Sequence, residues 1–181
     1  MNRREFIKIT TISAAGVLLP IKYIQANDRE ILKPTLITPN NDFFALHIGE
    51  IPAIDLKSWK LSITGHVERV TMLTYDDILK MKAITKMYTL TCIGDVVGGN
   101  QIGNAKWTGV LMQQVLNKAG VKKDVKKVIF RGADGYNTSV PIEDALHEDS
   151  LLVYKMNGET LPPEHGYPLR FLCPKHYGTK N

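Results

Sequence analysis

Cysteine is scarce in this chain of 181 residues, and its two copies, Cys92 and Cys173, exclude several kinds of site. Two cysteines cannot supply the ligands of a zinc ribbon, and no C-x-x-C-H sequence is present, so we predict no haem in this chain. A disulfide between the two remains open and is favoured only outside the cytoplasm. Cys173 lies in an apolar run from Leu169 to Pro174, which favours a core position.

Long apolar runs and a one-sided charge are also missing. The run from Ile9 to Ile21 is shorter than the roughly 20 residues that a membrane span needs. The chain has 23 basic and 18 acidic residues, of which the first 30 residues hold five and three, so 18 basic and 15 acidic residues remain. This balance predicts no nucleic-acid partner, because such a partner requires a concentrated basic face. The length and the 44% hydrophobic content fit one globular domain.

The first 26 residues have the pattern of an export signal. Arg3-Arg4-x-Phe6-Ile7-Lys8 precedes the apolar run and resembles the twin-arginine motif. The motif implies export of the folded protein by the twin-arginine machinery, to the periplasm or the extracytoplasmic face of the membrane. An amphipathic helix is the alternative, and a poor cleavage site near Ala26 leaves an uncleaved anchor open. Residues 27–38 are predicted to be a linker, and residues 39–181 the functional domain.

The hydrophobic pattern predicts short helices among strands, which is the α+β class. Thr74 is predicted to cap one helix, with Asp77 completing a capping box. A second helix is predicted from Val110 to Ala119, ended by Gly120, and a third begins at Pro141. In the first helix, the side chains expected to face the core are Ile78, Leu79 and Met81.

Strands are predicted where β-formers cluster or alternate with polar residues. Asn157-Gly158 predicts a hairpin turn after one of them. The predicted strands are Ser58–Gly65, Tyr88–Cys92, Lys127–Phe130, Leu151–Met156 and Leu169–Leu172.

Cys92 ends its predicted strand and precedes a loop that contains Gly94, Gly98 and Gly99. Thiolate is a soft metal ligand, and glycine allows a bulky cofactor to approach. On residue types alone, a buried core cysteine beside a long turn is the alternative. The surrounding sequence contains T-L-x-C-I-G-x, G-G and I-G-N-A-x-W-x-G-V, and it resembles the cysteine segment of the sulfite oxidase superfamily of molybdopterin-dependent oxidoreductases.

The resemblance extends from about Thr38 to Asn181 and implies a sulfite-oxidase-like mixed sheet with short helices. It also implies a molybdenum–molybdopterin cofactor, with Cys92 as the protein ligand to the metal. The family pattern continues past Asn181, so the sequence resembles a member that is truncated at its C-terminus.

Two further segments match the family near its cofactor. F-x-x-x-D-G-Y-x-x-S-x-P, which starts at Phe130, implies a pterin contact by Asp134, although an Asp-Gly turn is the alternative. The segment from Gly132 to Ser139 is predicted to be a polar loop between a strand and a helix. M-N-G-x-x-L-P-x-x-H-G-x-P-x-R, which starts at Met156, implies that His165 and Arg170 bind the pterin phosphate. An arginine suits that task because its guanidinium is a bidentate donor.

The two ends of the domain resemble the family as well. P-x-x-Y-G-x-K implies cofactor contacts by Gly178 and Lys180. The aromatic segment before Ile51 implies pterin contacts by Phe44 and His47, although by default the phenylalanine belongs to the core and the histidine to a turn.

Some positions depart from the sulfite-oxidising members of the family. Where these members place arginines, this chain has Val97 and Ala45-Leu46. Unpaired burial of a dianion such as sulfite is costly, so these positions favour a neutral S-oxide.

The resemblance implies two-electron oxygen-atom transfer on a small, sulfur-centred molecule. Electrons would be exchanged with a separate cytochrome or a quinone-linked membrane subunit. One alternative is a non-catalytic fragment that retains part of the pterin site. Another is a secreted cysteine hydrolase that pairs Cys92 with His47 or His165.

Overall fold

The computed structural model describes residues 36–181, so the predicted leader at 1–26 and most of the predicted linker at 27–38 lie outside the described residues. Within this range, two antiparallel hairpins and a five-stranded sheet surround three short helices, which confirms the predicted α+β class. The strands are β1 Lys60–Ile63, β2 Thr71–Thr74, β3 Ala83–Thr91, β4 Ile102–Leu111, β5 Lys127–Arg131, β6 Asn137–Pro141, β7 Leu151–Met156, β8 Glu159–Thr160 and β9 Arg170–Leu172. The helices are α1 Tyr75–Leu79, α2 Met112–Ala119 and α3 Ile142–Ala145.

The five-stranded sheet carries the cysteine strand at one edge. β3 pairs with β4, β4 pairs with β7, and β7 pairs on its other side with β9 and β8. The register of β4 and β7 shifts between Thr108 and Gly109. A Cβ at Gly109 would lie 2.1 Å from the carbonyl oxygen of Leu152, so only glycine allows these two strands to approach each other.

Helix α2 buries one face on the sheet. Its buried residues Met112, Val115, Leu116 and Ala119 have the i, i+3, i+4, i+7 spacing of an amphipathic helix. It ends at Gly120, which has a φ of 67°. The predicted start at Val110 was wrong, because Val110 and Leu111 complete the ladder between β4 and β7.

Helix α1 has the predicted capping box. The Asp77 amide donates to Thr74 Oγ1 at 3.2 Å, and the Thr74 amide donates to Asp77 Oδ2 at 3.0 Å. Ile78 is buried as predicted, whereas Leu79 is 43% exposed. One residue along a helix is a rotation of roughly 100°, which turns Leu79 away from the core.

Two other boundaries differ from the prediction. Pro141 is the last residue of β6, and α3 begins at Ile142. The segment from Gly132 to Ser139 was predicted to be a loop, but Asn137–Ser139 pair with β5.

The chain before β1 is anchored to β4. The Thr38 amide donates to the Asn104 carbonyl at 2.7 Å, and Asn104 Nδ2 donates to the Leu36 carbonyl at 2.6 Å. Residues 36–38, which we predicted to be part of the linker, therefore contact the sheet.

Two buried clusters form the core. One joins α2 to the sheet and includes Cys173, as predicted. The other lies beneath the candidate site and contains Phe43, Tyr88, Leu90, Ala105, Trp107, Leu151, Val153, Met156, Leu161 and Leu172. No helix of residues 36–181 has both the length and the apolar character needed to cross a membrane.

Candidate cofactor site

Cys92 lies at the end of β3, where the sheet leads into the glycine-containing loop. Its side chain is 9% exposed and its thiol is free, as is that of Cys173. The Cys92 amide donates to the Gln101 carbonyl at 2.9 Å, and the Asp95 amide donates to the Cys92 carbonyl at 3.1 Å. A Cβ at Gly94 would come within 4.0 Å of the sulfur, so glycine keeps that approach open.

Phe44 and Gly178 lie beside this strand end. A Cβ at Gly178 would be 3.6 Å from the Thr91 carbonyl oxygen and 3.8 Å from Phe44 Cζ. Phe44 in turn stacks on Phe43, with ring centroids 5.4 Å apart. The fold therefore brings together three predicted site residues, Phe44, Cys92 and Gly178. They come from the start, the middle and the end of the predicted domain at 39–181.

His165 is buried, with 2% of its surface exposed, and a main-chain group fixes its ring. Nε2 lies 3.0 Å from the Asn40 carbonyl oxygen, which can only accept a hydrogen bond, so Nε2 carries a proton. Phe43 packs edge-on against the ring. Nδ1 is buried without a hydrogen-bond partner among the described residues. Such a group is costly, which suggests a partner from outside the described chain.

Arg170 is half-buried and has no carboxylate partner within residues 36–181. Its guanidinium donates to main-chain oxygens of His165 at 3.2 Å and Asn181 at 3.4 Å. Its Cζ lies 5.7 Å from the centroid of Trp107. Burial lowers the pKa of Arg170 to about 10, because removal from water disfavours the charged guanidinium.

Lys180 belongs to a 3₁₀ turn, Gly178–Lys180, and forms no ion pair with the described residues. Asn181 closes this turn, because its Nδ2 donates to the Tyr177 carbonyl at 2.9 Å and its Oδ1 accepts from the Cys173 amide. The Tyr136 hydroxyl donates to the Thr179 carbonyl at 2.7 Å and braces the turn from outside.

Asp134 and His47 are not drawn into this group by the described contacts. Asp134 is exposed, and its Oδ1 accepts from the Tyr136 amide at 3.0 Å, which is the turn that the Asp-Gly sequence favours. A pterin contact by Asp134 therefore stays a prediction. His47 is exposed and has no described hydrogen bond, and His165 bonds to Asn40, so no Cys–His pair supports a hydrolase.

Three supporting residues were not predicted from the sequence. Asn40 orients His165, Trp107 lies under Arg170, and Asn181 joins Arg170 to the turn of Lys180. Trp107 is the tryptophan of the I-G-N-A-x-W motif, so the motif could have identified it as a supporting residue. Asn40 acts through its carbonyl, which every residue type has, and so no sequence pattern marks it.

The donor set fits a metal that arrives with an organic, phosphate-bearing cofactor. Among the described residues, no group of three His, Cys, Asp or Glu side chains could hold a metal ion. One thiolate alone therefore suits a metal whose other ligands come from a cofactor. His165, Arg170 and Lys180 offer nitrogen groups without carboxylate partners in the described range, and these suit a phosphate.

This α+β sheet carries a free cysteine at a strand end and, in the same domain, an arginine and a lysine without described carboxylate partners. This arrangement is expected of a molybdopterin-dependent oxidoreductase. The chain belongs to the oxidoreductase molybdopterin binding domain family, whose model matches residues 48–181. This match confirms the predicted membership of the sulfite oxidase superfamily. The sulfane dehydrogenase SoxCD from Paracoccus pantotrophus shares the fold, with a TM-score of 0.75 at 28% identity over 80% of this chain and 41% of that chain.

Curated relatives agree with this assignment. The chain is 36% identical to the uncharacterized oxidoreductase YuiH of Bacillus subtilis, over 80% of this chain and 74% of YuiH. It is 31% identical to the mitochondrial sulfite oxidase of Drosophila melanogaster, over 83% of this chain and 30% of that protein. It is 32% identical to a putative protein-methionine-sulfoxide reductase subunit, YedZ1, of Azospira oryzae, over 73% of this chain and 48% of that protein. The chain thus spans less than half the length of the last two.

Proposed function

We propose that this protein binds a molybdenum–molybdopterin cofactor through Cys92 and carries out oxygen-atom transfer on a small, sulfur-centred substrate. The observation that carries the proposal is a set of nitrogen groups without described carboxylate partners, half-buried Arg170 and Lys180 and the buried Nδ1 of His165, in the same domain as a free thiol at a strand end. When bound, the cofactor supplies the two-electron oxygen-transfer chemistry.

The chain's own residues hold and orient the cofactor. Cys92 provides the thiolate, and hydrogen bonds of its own amide and carbonyl hold its main chain at the strand end. Arg170 and Lys180 supply positive charge to the phosphate. Phe44 and the turn at Gly178 give the cofactor a wall beside the strand end.

The proposed substrate is a neutral S-oxide rather than sulfite. Val97 is fully exposed in the cysteine loop, and Leu46 is exposed before β1, so neither position offers a charge to a dianion. Reduction of an S-oxide consumes two electrons and two protons, yields the sulfide, and releases the oxygen as water. The name of the Azospira oryzae relative describes an enzyme of this substrate class.

The electrons are proposed to come from a separate cytochrome or quinone-linked membrane subunit. The Azospira oryzae relative is named as a subunit, which supports a partner of this kind. Folded export through Arg3-Arg4 to the periplasm remains part of the proposal, because a cofactor of this size must be inserted before translocation.

Metal and pterin analysis of the purified chain, together with turnover assays, tests the proposal. Cys92→Ser is the variant, and Cys173→Ser is its matched control. Serine is a harder and poorer donor than thiolate, so Cys92→Ser should lose turnover. Cys173→Ser should keep its molybdenum, because Cys173 lies in the other core cluster. Equal turnover of wild type and Cys92→Ser would rule out a metal ligand at this position.

A binding-only protein that retains part of the pterin site is the second candidate, as the alternative that the sequence motifs leave open. It predicts stoichiometric molybdenum and pterin without reduction of S-oxides or oxidation of sulfite. Turnover with any of these compounds, dependent on Cys92, would exclude it.

A further inference from the structure

A cluster of charged side chains lies behind the turn that carries Lys180. Asp144, the third residue of α3, is 15% exposed, and its carboxylate accepts two hydrogen bonds. His176 Nε2 lies 2.9 Å from Oδ2, and Lys175 Nζ lies 3.2 Å from Oδ1. None of these three residues belongs to the set that would hold the cofactor.

Asp144 is itself held in place. Its main-chain oxygen accepts from Ser150 Oγ at 2.6 Å, and Ser150 is fully buried. Although burial opposes the charged form, the hydrogen bonds from Lys175 and His176 keep the pKa of Asp144 below its ordinary value. The carboxylate is therefore charged and in a fixed position at neutral pH.

His176 and Lys175 belong to the segment that ends in the 3₁₀ turn Gly178–Lys180. Asn181 Nδ2 donates to the His176 carbonyl at 3.0 Å, and the Lys180 amide donates to the Tyr177 carbonyl at 2.9 Å. The side chain of His176 thus faces Asp144, while its carbonyl helps to close the turn. A movement of His176 would therefore displace a carbonyl that helps to close the turn.

We propose that Asp144 is a positioning residue for the cofactor site, acting through His176 and Lys175 on the turn of Gly178 and Lys180. It anchors the start of the segment to α3, so the turn is formed before the cofactor binds. Asp144 also binds Lys175. Of the two lysines in this segment, only Lys180 is then left without a described carboxylate partner. The inference rests on the proposed function for the identity of the ligand, but not for the geometry of the turn.

Hydrogen exchange on the full chain without cofactor tests the geometry. In Asp144→Ala and His176→Ala, the amides of Lys180 and Asn181 should exchange about threefold to tenfold faster, which is the effect of losing one partly exposed, charge-assisted hydrogen bond. His176→Gln should restore slow exchange, because a glutamine amide can place an N–H near the position of Nε2. A variant that merely unfolds would speed exchange throughout the sheet, whereas the proposal requires the change to be confined to residues 174–181.

The chain offers a matched control in a second His–Asp pair. His66 Nε2 lies 2.7 Å from Asp124 Oδ1, and both side chains are exposed on the hairpin side of the domain. Asp124→Ala removes the same chemistry and should leave exchange of the Lys180 amide unchanged. Equal acceleration by Asp124→Ala and Asp144→Ala, or none by Asp144→Ala, would overturn the proposal.

Cofactor occupancy then distinguishes the positioning role of Asp144 from the proposed function. If Asp144→Ala loosens the turn and lowers the molybdenum content, while His176→Gln retains both, the positioning role is established. If the turn loosens but wild type and variants all lack molybdenum and pterin, the anchor stands and the proposed function fails. If wild type binds the cofactor and Asp144→Ala binds it equally under limiting supply, the positioning role is wrong and the proposed function stands.

Discussion

The guanidinium of Arg170 lies over the indole ring of Trp107, with 5.7 Å between Cζ and the ring centroid. Trp107 is fully buried, so it gives the arginine a rigid apolar surface on one side. The hydrogen bonds of Arg170 reach only main-chain oxygens, and burial lowers its pKa to about 10. Below that pH the charged form lacks compensation, and an anion that supplies it should stabilise the fold.

We therefore expect inorganic phosphate to raise the Tm of the cofactor-free protein relative to chloride at equal ionic strength. A gain of about 1 kcal/mol corresponds to a rise of about 2–4 °C for a domain of this size. Arg170→Met should abolish this rise, whereas Arg131→Met, an exposed arginine on β5, should preserve it. A phosphate effect of equal size in both variants would show that the anion binds elsewhere.

Gly103 gives a second test, because β4 has no room for a side chain at this position. A Cβ there would lie 2.6 Å from Phe43 Cε2, and Phe43 packs against His165. Gly103→Ala should cost about 1–3 kcal/mol of unfolding free energy in urea. It should also reduce cofactor content, because Phe43 must move. Gly49→Ala is the control, since a Cβ at that position meets no atom within 4 Å.

Acid unfolding should report on Asp144. Its pKa in the folded protein lies below the ordinary value of 3.8. Its stabilising contribution is therefore present above the ordinary pKa and is lost as the pH falls through the lower pKa of the folded state. Asp144→Asn should flatten the decline in stability below about pH 5, measured as urea midpoints against pH. Glu148→Gln serves as the comparison, because the Glu148 side chain is exposed and makes no described ion pair. Parallel curves for wild type and Asp144→Asn would contradict the expectation.

Substrate preference should respond to charge in the cysteine loop. In a preparation that turns over, Val97→Arg should raise kcat/KM for sulfite by about tenfold at low salt, and less at high salt, because an added cation attracts the dianion. The rate with a neutral methyl sulfoxide should change little. Val96→Arg provides the same charge one residue away on the exposed loop. If wild type already oxidises sulfite efficiently and the S-oxide poorly, the proposed preference is wrong.

The twin-arginine prediction concerns the leader. Changing Arg3 and Arg4 to lysine keeps the charge but removes both guanidinium groups. We expect the precursor to accumulate in the cytoplasm, measured by cell fractionation and immunoblotting. Unchanged export would point to a different route.

Local patterns in the sequence predicted the parts of the fold that depend on local contacts. The buried face of α2 follows from residues three and four apart, and the box of Thr74 and Asp77 closes within one turn. The same patterns failed at Val110, because pairing with distant Leu152 decided its conformation. They also failed at Asn137–Ser139, which pair with the preceding strand β5 in a hairpin although the segment is polar. They also gave no strand for β4, whose alternation is weakened by Gly103 and Gly109.

Only those residues of the candidate site that belong to a family motif could be predicted from the sequence. Cys92, His165, Arg170 and Gly178 were singled out by resemblance. The structure places His165 against Phe43, Arg170 over Trp107 and Gly178 near Phe44, all at the second core cluster. The contact between Asn40 and His165 joins residues 125 positions apart through a carbonyl oxygen, and periodicity contains no information about such a pair. Whether Asp134 and His47 contact the cofactor stays a prediction for the same reason.

The ladder between β3 and β4 runs without interruption from Ala83 opposite Val110 to Thr91 opposite Ile102, and the bond between Cys92 and Gln101 extends it by one step. The sulfur is therefore located by the sheet and not by the length of the loop that follows it. Residues can be inserted or deleted between Gly94 and Gly99 without displacing the thiol. Evolution can in this way reshape the surroundings of the sulfur, and so change which molecules reach it, while Cys92 stays where it is.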